Sequence, residues 1–144
     1  MPTRSATTTW SGGLQDGSGR VELSSSKAGT YDVSFPRRAA DDAEGVTSPE
    51  ELIAAAHSAC YAMQFSALLG QAGGTDISLD VSADVSLGPD PAGGFRITGI
   101  VLHVAGGATG LDAQTFARVA QDAKDGCPVS KALTGTEITL DVRG

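Results

Sequence analysis

The sequence has few cationic residues and few cysteines, and each shortage excludes a class of protein. Ten Lys and Arg stand against 17 Asp and Glu, so no basic face for nucleic acid is expected. Two cysteines, Cys60 and Cys127, are too few for a disulfide-rich secreted scaffold. No apolar run approaches the ~20 residues of a membrane-spanning helix, and residues 1–10 lack the apolar stretch of a secretory signal. The sequence therefore predicts a soluble cytoplasmic protein with no membrane partner.

Motifs that bind metals or nucleotides are also missing. The sequence has no CxxC, no HExxH, no GxGxxG after a strand and no GxxxxGK[ST]. We therefore expect neither a metal site nor a bound cofactor. The 144 residues, 40% of them hydrophobic, predict one domain over residues 1–144 that folds without a metal or a disulfide.

Apolar and polar residues alternate over residues 75–87, which predicts a half-buried strand followed by a hairpin turn. The next strand, over residues 95–104, changes phase at Gly99, which indicates a β-bulge. A last strand covers residues 138–142. Three earlier strands are predicted around Trp10, over residues 21–23 and over residues 31–35, with Trp10 in the core.

Two longer segments have the helical period. The first begins at Ser48, with Pro49 at the first helical position and two acids in the first turn, and runs to about Gly70. Its predicted apolar face comprises Leu52, Ala56, Ala59, Cys60, Met63 and Ala67. A second helix covers residues 111–124, and a short third helix begins at Cys127. Because strands and helices are segregated along the chain, we predict an α+β fold with antiparallel sheets packed around the long helix that carries Cys60.

Both cysteines are candidate nucleophiles with plain structural alternatives. Cys60 on the long helix reads most simply as a small core residue, and it becomes a nucleophile only if a neighbouring charge lowers its pKa. Cys127, before Pro128 at a helix start, is near the positive end of a helix dipole, or is simply a small residue in a tight corner.

The other polar candidates surround the long helix. Arg37 and Arg38 lie on a solvated loop, unless a carboxylate such as Glu50 holds one of them as a fixed fork of donors. Glu50 otherwise complements the helix dipole as an ordinary first-turn acid. His57 could act as a base for Cys60, although a satisfied, half-buried histidine is the simpler interpretation. His103 lies on the strand face opposite Leu102, and we assign it no role.

Residues 47–60, TSPEELIAAAHSAC, and residues 126–133, GCPVSKAL, resemble the two signatures of the osmotically inducible protein C and organic hydroperoxide resistance (OsmC/Ohr) family. The segment at residues 10–12 and the closing strand agree with this resemblance. The segments SFPRRA, SPEEL and AAHSAC are more similar in sequence to the OsmC branch than to the Ohr branch. The resemblance implies an OsmC-like fold and an intertwined homodimer that completes each active site from two chains.

The resemblance also implies a thiol-dependent peroxidase that acts on organic hydroperoxides and is reset by a small or protein dithiol. Cys60 matches the peroxidatic cysteine, Cys127 the resolving cysteine and Glu50 the family's glutamate. Arg38 best matches the arginine that contacts this glutamate, with Arg37 and Arg20 as alternatives. A non-enzymatic, stress-induced dimer that binds a small apolar ligand and has structural cysteines remains the competing hypothesis.

Helix geometry leaves one question open. Ten residues separate Glu50 from Cys60, which is ~15 Å along a straight helix, so the carboxylate does not contact the sulfur directly. Either the arginine bridges them or the helix breaks near residues 54–56. Met63, Phe65 and the alanines of this helix further suggest a preference for bulky, apolar hydroperoxides over hydrogen peroxide.

Overall fold

The computed structural model describes residues 1–143. It divides the chain into two compact units, Met1–Leu52 and Ile53–Gly144, each with its own three-stranded sheet. The six strands and the helical segments are found where the sequence predicts them, apart from the differences given below. The prediction of one domain over the whole chain stays a prediction.

The first unit is an antiparallel sheet of three short strands. Strands β1 (Thr7–Ser11), β2 (Ser18–Glu22) and β3 (Thr30–Val33) pair in the order β1-β2-β3. Gly12 at φ 97° allows the chain to turn after β1, since this left-handed backbone favours glycine. Val21 is buried, but Trp10 is 45% exposed, so the prediction of a core tryptophan is wrong. The strands are rich in Thr, Ser and Gly, which supply little apolar surface against which Trp10 could pack.

A short helix, α1 (Phe35–Arg38), replaces the end of the predicted third strand. Ser34 begins it, because its hydroxyl accepts a hydrogen bond from the Arg37 amide and Pro36 takes an early helical position. The prediction that residues 31–35 form one strand is therefore wrong at Phe35. The helical turn places both arginines in its last turn.

The long helix α2 (Pro49–Gln71) begins as predicted and is 23 residues long. Its fully buried residues are spaced four apart, at His57, Tyr61, Phe65 and Leu69, each 0% exposed. The predicted apolar face, at Leu52, Ala56, Ala59, Cys60, Met63 and Ala67, is wrong as a core face, since Met63 is 73% exposed. Packing favours the stripe with the large side chains, because alanines contribute little buried area.

Helix α2 also corrects the expectation that no segment could span a bilayer. With a mean hydropathy of 1.4 it is long and apolar enough to do so by length and composition alone. The alternation of small apolar residues with Ser and His hides this when the sequence is searched for an unbroken apolar run. Core helices pass the same test, and three large side chains of α2 belong to the buried core cluster: Tyr61, Phe65 and Leu69.

The second sheet contains β4 (Thr75–Pro89), β5 (Phe95–Thr109) and β6 (Ile138–Arg143) in the order β4-β5-β6. The register between β4 and β5 shifts opposite Gly99, so the predicted bulge is confirmed. Strand β6 pairs parallel to β5, so the prediction of wholly antiparallel sheets is wrong there. The connection contains α3 (Ala113–Gly126) and α4 (Pro128–Ala132), which is long enough for a parallel crossover.

One face of the second sheet packs against α2 and α3. Leu102 and Val104 of β5 are buried with Phe65 and with Phe116 of α3. The rings of Phe65 and Phe116 are 4.9 Å apart and tilted. The Tyr61 hydroxyl donates to the carbonyl of Ala120 at 2.8 Å, which satisfies the phenol inside the core. This packing fixes α2, and with it Cys60, relative to α3.

Candidate functional site

The two cysteines meet in the second unit. Cys60 is half-buried on α2, and Cys127 is fully buried at the N-cap of α4. The Cys127 thiol donates to the Cys60 sulfur across 3.2 Å, and both cysteines are free. A disulfide has its sulfurs at ~2.05 Å, so when an oxidant removes two electrons and two protons from the pair, only a small movement is needed to form the bond. The two cysteines are therefore free thiols in contact, at a distance that suits reversible formation of a disulfide.

The surroundings of Cys60 in this unit do not favour its thiolate. Burial raises the pKa of the Cys60 thiol, and the adjacent Cys127 sulfur raises it further. The backbone N–H of Val129, on α4, donates to the Cys60 sulfur and acts in the opposite direction, but the net direction is upward. The ionised nucleophile that sequence reasoning expected therefore needs a positive charge beyond these contacts.

A strong ion pair lies in the first unit. Arg38 Nε donates to both Glu50 carboxylate oxygens at 3.1 Å, and Arg38 Nη2 donates to Oε1 at 2.7 Å. Burial alone would raise the pKa of Glu50, but hydrogen bonds and the charge of Arg38 hold it below its usual value. Glu50 is only 7% exposed, so its carboxylate is an ionised, buried partner that fixes the orientation of the guanidinium.

The structure decides which arginine contacts Glu50. Arg37 pairs instead with Glu44 at 2.9 Å, and Arg20 pairs with Asp32 at 3.3 Å, both on the surface. The contact predicted for Arg38 is therefore confirmed, and the alternatives Arg37 and Arg20 are wrong for this contact. The catalytic roles of Arg38, Glu50, Cys60 and Cys127 stay predictions.

Helix α2 is continuous from Pro49 to Gln71. The alternative of a helix break near residues 54–56 is therefore wrong. Because Glu50 and Cys60 lie on one unbroken helix, ~15 Å apart along its axis, the carboxylate does not contact the sulfur of its own chain directly.

An apolar recess of about 270 Å³ opens beside Arg38 within the first unit. The Arg38 guanidinium therefore lies at the edge of a mostly apolar recess. This arrangement suits a molecule with one polar end and one apolar end. The other lining residues are Trp10, Leu14, Val33, Ser34, Phe35 and Pro49.

His57 does not have the exposure that the sequence suggested. It is 0% exposed rather than half-buried, and its Nε2 lies 2.8 Å from the Ser130 hydroxyl. Burial lowers the pKa of His57, so the ring is neutral and supplies no cation for Cys60. Sequence reasoning missed Ser130. Its position one helical turn after Cys127 was the available signal.

His103 projects from the solvent face of the second sheet, as predicted. Its Nε2 lies 2.8 Å from Asp84 and its Nδ1 3.1 Å from Asp141. The two carboxylates, that of Asp141 foremost, raise the pKa of His103. Within residues 1–143, no cluster of three or more His, Cys, Asp or Glu side chains could hold a metal ion.

Comparison with known proteins gives a consistent result. A family model described as OsmC-like protein matches residues 41–143. The chain is 46% identical over 132 residues to peroxiredoxin OsmC of Escherichia coli K12, covering 92% of this chain and 90% of that protein. It resembles the structure of an organic hydroperoxide resistance protein OsmC from Legionella pneumophila, with a TM-score of 0.79 and 27% identity over 100% of this chain and 98% of the other. OhrB of Bacillus subtilis gives 0.75 and 28%, over 96% and 98%.

Proposed function

The chain belongs to the OsmC-like family, and on that premise we propose that it is a thiol-dependent peroxidase that reduces organic hydroperoxides to alcohols. The observation that carries the proposal is the 3.2 Å contact between the sulfurs of Cys60 and Cys127. The names of the relatives, a peroxiredoxin and organic hydroperoxide resistance proteins, agree with it.

The reaction has two half-steps that balance in atoms and electrons. The Cys60 thiolate attacks one peroxide oxygen, the O–O bond breaks, and the departing alkoxide takes a proton to leave as the alcohol. Cys60 is oxidised to a sulfenic acid. The Cys127 sulfur then attacks the Cys60 sulfur, a disulfide forms, and hydroxide leaves with a proton as water. An external dithiol, small or protein-borne, reduces the disulfide by exchange, and no bound cofactor takes part.

In this proposal Arg38 supplies the missing positive charge. A guanidinium favours the Cys60 thiolate and the negative charge that develops on the peroxide oxygens. Glu50 orients this guanidinium through two hydrogen-bonded oxygens, as the fork geometry of Arg38 allows. The raised pKa of Cys60 in its own unit is the reason that such a charge is required.

The substrate class follows from the recess beside Arg38. An alkyl or aryl tail fits its apolar wall, whereas hydrogen peroxide gains nothing from it. Phe65 was one reason for expecting an apolar substrate site, but it is fully buried in the core. The preference therefore rests on the recess and not on Phe65.

We also propose a homodimer. Met63, with the neighbouring Ala67, lines an open apolar groove of about 540 Å³ with Ile77 and Leu79 in the second unit. Exposed apolar surface of this kind is typical of an interface, and a second copy of the chain is the occupant that agrees with the family resemblance. The protein is proposed to be soluble and cytoplasmic, where thiols stay reduced.

The proposal is tested by adding one equivalent of cumene hydroperoxide to the reduced protein and following thiol loss and intact mass. The parent should lose two thiols and form a disulfide between Cys60 and Cys127. Cys127→Ser should consume one equivalent and stop at an oxidised Cys60, and Cys60→Ser should consume none. Unchanged thiols in the parent would leave the competing hypothesis, a ligand-binding dimer with structural cysteines.

A further inference from the structure

The helices that carry the two cysteines are joined by a second contact, one turn away from the sulfurs. His57 precedes Cys60 by three residues on α2, and Ser130 follows Cys127 by three residues on α4. Side chains three apart on a helix lie on the same side. The sulfurs meet at 3.2 Å, and the His57–Ser130 pair meets at 2.8 Å. The α2–α4 contact therefore includes two neighbouring pairs of side chains, Cys60–Cys127 and His57–Ser130, of which only the cysteine pair carries the chemistry.

Both residues of the His57–Ser130 pair are buried, with His57 0% and Ser130 6% exposed. Burial lowers the pKa of His57, so the hydrogen bond joins a neutral imidazole to a hydroxyl. Nδ1 of His57 has no hydrogen-bond partner within residues 1–143. A buried N–H without a partner is rarer than a buried acceptor without one, so we assign the ring proton to Nε2, which donates to Ser130 Oγ. This bond is then the imidazole's one polar anchor, and losing it leaves a buried donor unsatisfied.

Helix α4 depends on such anchors, because it is short. It spans Pro128–Ala132, and the Cys127 that caps it makes no side-chain capping hydrogen bond. Its first turn nevertheless brings two groups to Cys60: the Cys127 thiol and the backbone N–H of Val129. A displacement of this turn would move both groups away from the Cys60 sulfur together.

We propose that His57 and Ser130 are positioning residues, whose hydrogen bond holds the first turn of α4 on α2 so that Cys127 and the Val129 amide both meet the Cys60 sulfur. The role rests on the proposed function for its place in a peroxidase cycle. The geometry itself also applies to any oxidation that joins the two sulfurs.

Ser130→Ala removes the His57–Ser130 hydrogen bond with the smallest change in side-chain volume. We expect it to slow closure of the Cys60–Cys127 disulfide about tenfold, since a buried hydrogen bond of ~1–1.5 kcal/mol is lost and each 1.4 kcal/mol is a factor of ten. The Cys60 sulfenic acid should then live longer and be trapped in higher yield by a cyclic dione. Loss of the Val129 contact should also move the pH dependence of Cys60 oxidation to higher pH.

The control is Tyr61→Phe, which removes another buried hydrogen bond from α2, the one to Ala120 of α3, and keeps the His57–Ser130 hydrogen bond. It should lower stability while keeping the parent's closure rate and pH dependence. His57→Gln keeps a donor for Ser130 and should retain most of the closure rate. Where Ser130→Ala does not fold, His57→Leu breaks the same bond from the other end and replaces it.

Closure is measured twice, with cumene hydroperoxide and with saturating diamide, which oxidises the two thiols to the disulfide as it becomes the hydrazine. The diamide arm needs no peroxidase activity, so failure of the proposed function shows in the parent's peroxide arm alone. Slower closure of Ser130→Ala in the diamide arm, with Tyr61→Phe at the parent rate, supports the positioning role. Closure at the parent rate, or equal slowing in Tyr61→Phe, overturns it.

Discussion

The two compact units contribute opposite things to the proposed reaction. The first contains a guanidinium fixed by a buried carboxylate and an apolar recess beside it, but no cysteine. The second contains two sulfurs in contact, but its own groups raise the pKa of Cys60. The difference explains why the proposed function needs both: the groups around Cys60 favour its neutral thiol, so the proposal assigns the stabilising charge to Arg38.

The largest expected effect concerns how tightly side chains are packed within each of the two units. Phe65→Ala should destabilise the protein by about 3–5 kcal/mol, because a fully buried ring in contact with Phe116 is lost. Trp10→Ala should cost no more than about 1 kcal/mol, since that ring is 45% exposed. Urea unfolding of both variants measures this. Equal losses would contradict the contrast between a packed second unit and a thinly packed first one.

Removing the charge should come next in size. Arg38→Met should lower kcat/KM for cumene hydroperoxide about 100-fold, the usual loss for one donor that stabilises developing negative charge. Glu50→Gln should cost about tenfold, because the orienting hydrogen bonds weaken but the guanidinium remains. Steady-state assays with an excess of dithiol measure both, and Arg37→Ala is the matched control. A drop for Arg37→Ala as deep as that for Arg38→Met would sink the assignment of the charge to Arg38.

The recess should tune which peroxide is used. Leu14→Ser adds a polar group to the apolar wall, so the ratio of rates for cumene hydroperoxide and hydrogen peroxide should fall several-fold, as expected for losing about 1 kcal/mol of apolar contact. Competition between the two peroxides in one reaction gives this ratio directly. An unchanged ratio would separate the recess from substrate selection.

The smallest effect lies on the solvent face of the second unit. Asp141 and Asp84 raise the pKa of His103, so their stabilisation is complete below the ordinary histidine value of about 6.5 and is lost as pH rises through the raised pKa. His103→Gln should therefore flatten the fall in Tm over that range. Thermal unfolding at several pH values tests it. A parallel pH dependence in the variant would show that the surface cluster contributes nothing measurable.

Local patterns predicted much of the fold. The Ser48-Pro49 start of α2, the alternation in β4 and the bulge at Gly99 all depend on neighbours in sequence, and all are confirmed. The parallel pairing of β6 was beyond reach, because a strand's direction depends on how the intervening helices cross the sheet. The buried face of α2 was misjudged for a similar reason, since the partner surface selects the large side chains.

The candidate site shows the same division. Cysteines and an arginine–glutamate pair could be named from residue type and spacing, and the Arg38–Glu50 contact is confirmed. The His57–Ser130 contact joins residues 73 apart in sequence, and the position of Ser130 one helical turn after Cys127 does not by itself identify His57 as the partner. The direction in which the pKa of Cys60 shifts could not be predicted from the sequence either, because it depends on burial that only tertiary packing creates.

The central claim is that a guanidinium keeps Cys60 ionised against the effect of its own surroundings. The most direct test is the pH dependence of the rate at which iodoacetamide alkylates Cys60, in a Cys127→Ser background, with and without Arg38→Met. The account predicts a midpoint below the ordinary thiol value of about 8.5, which Arg38→Met moves upward. A midpoint at or above the ordinary value that Arg38→Met leaves unchanged would contradict it.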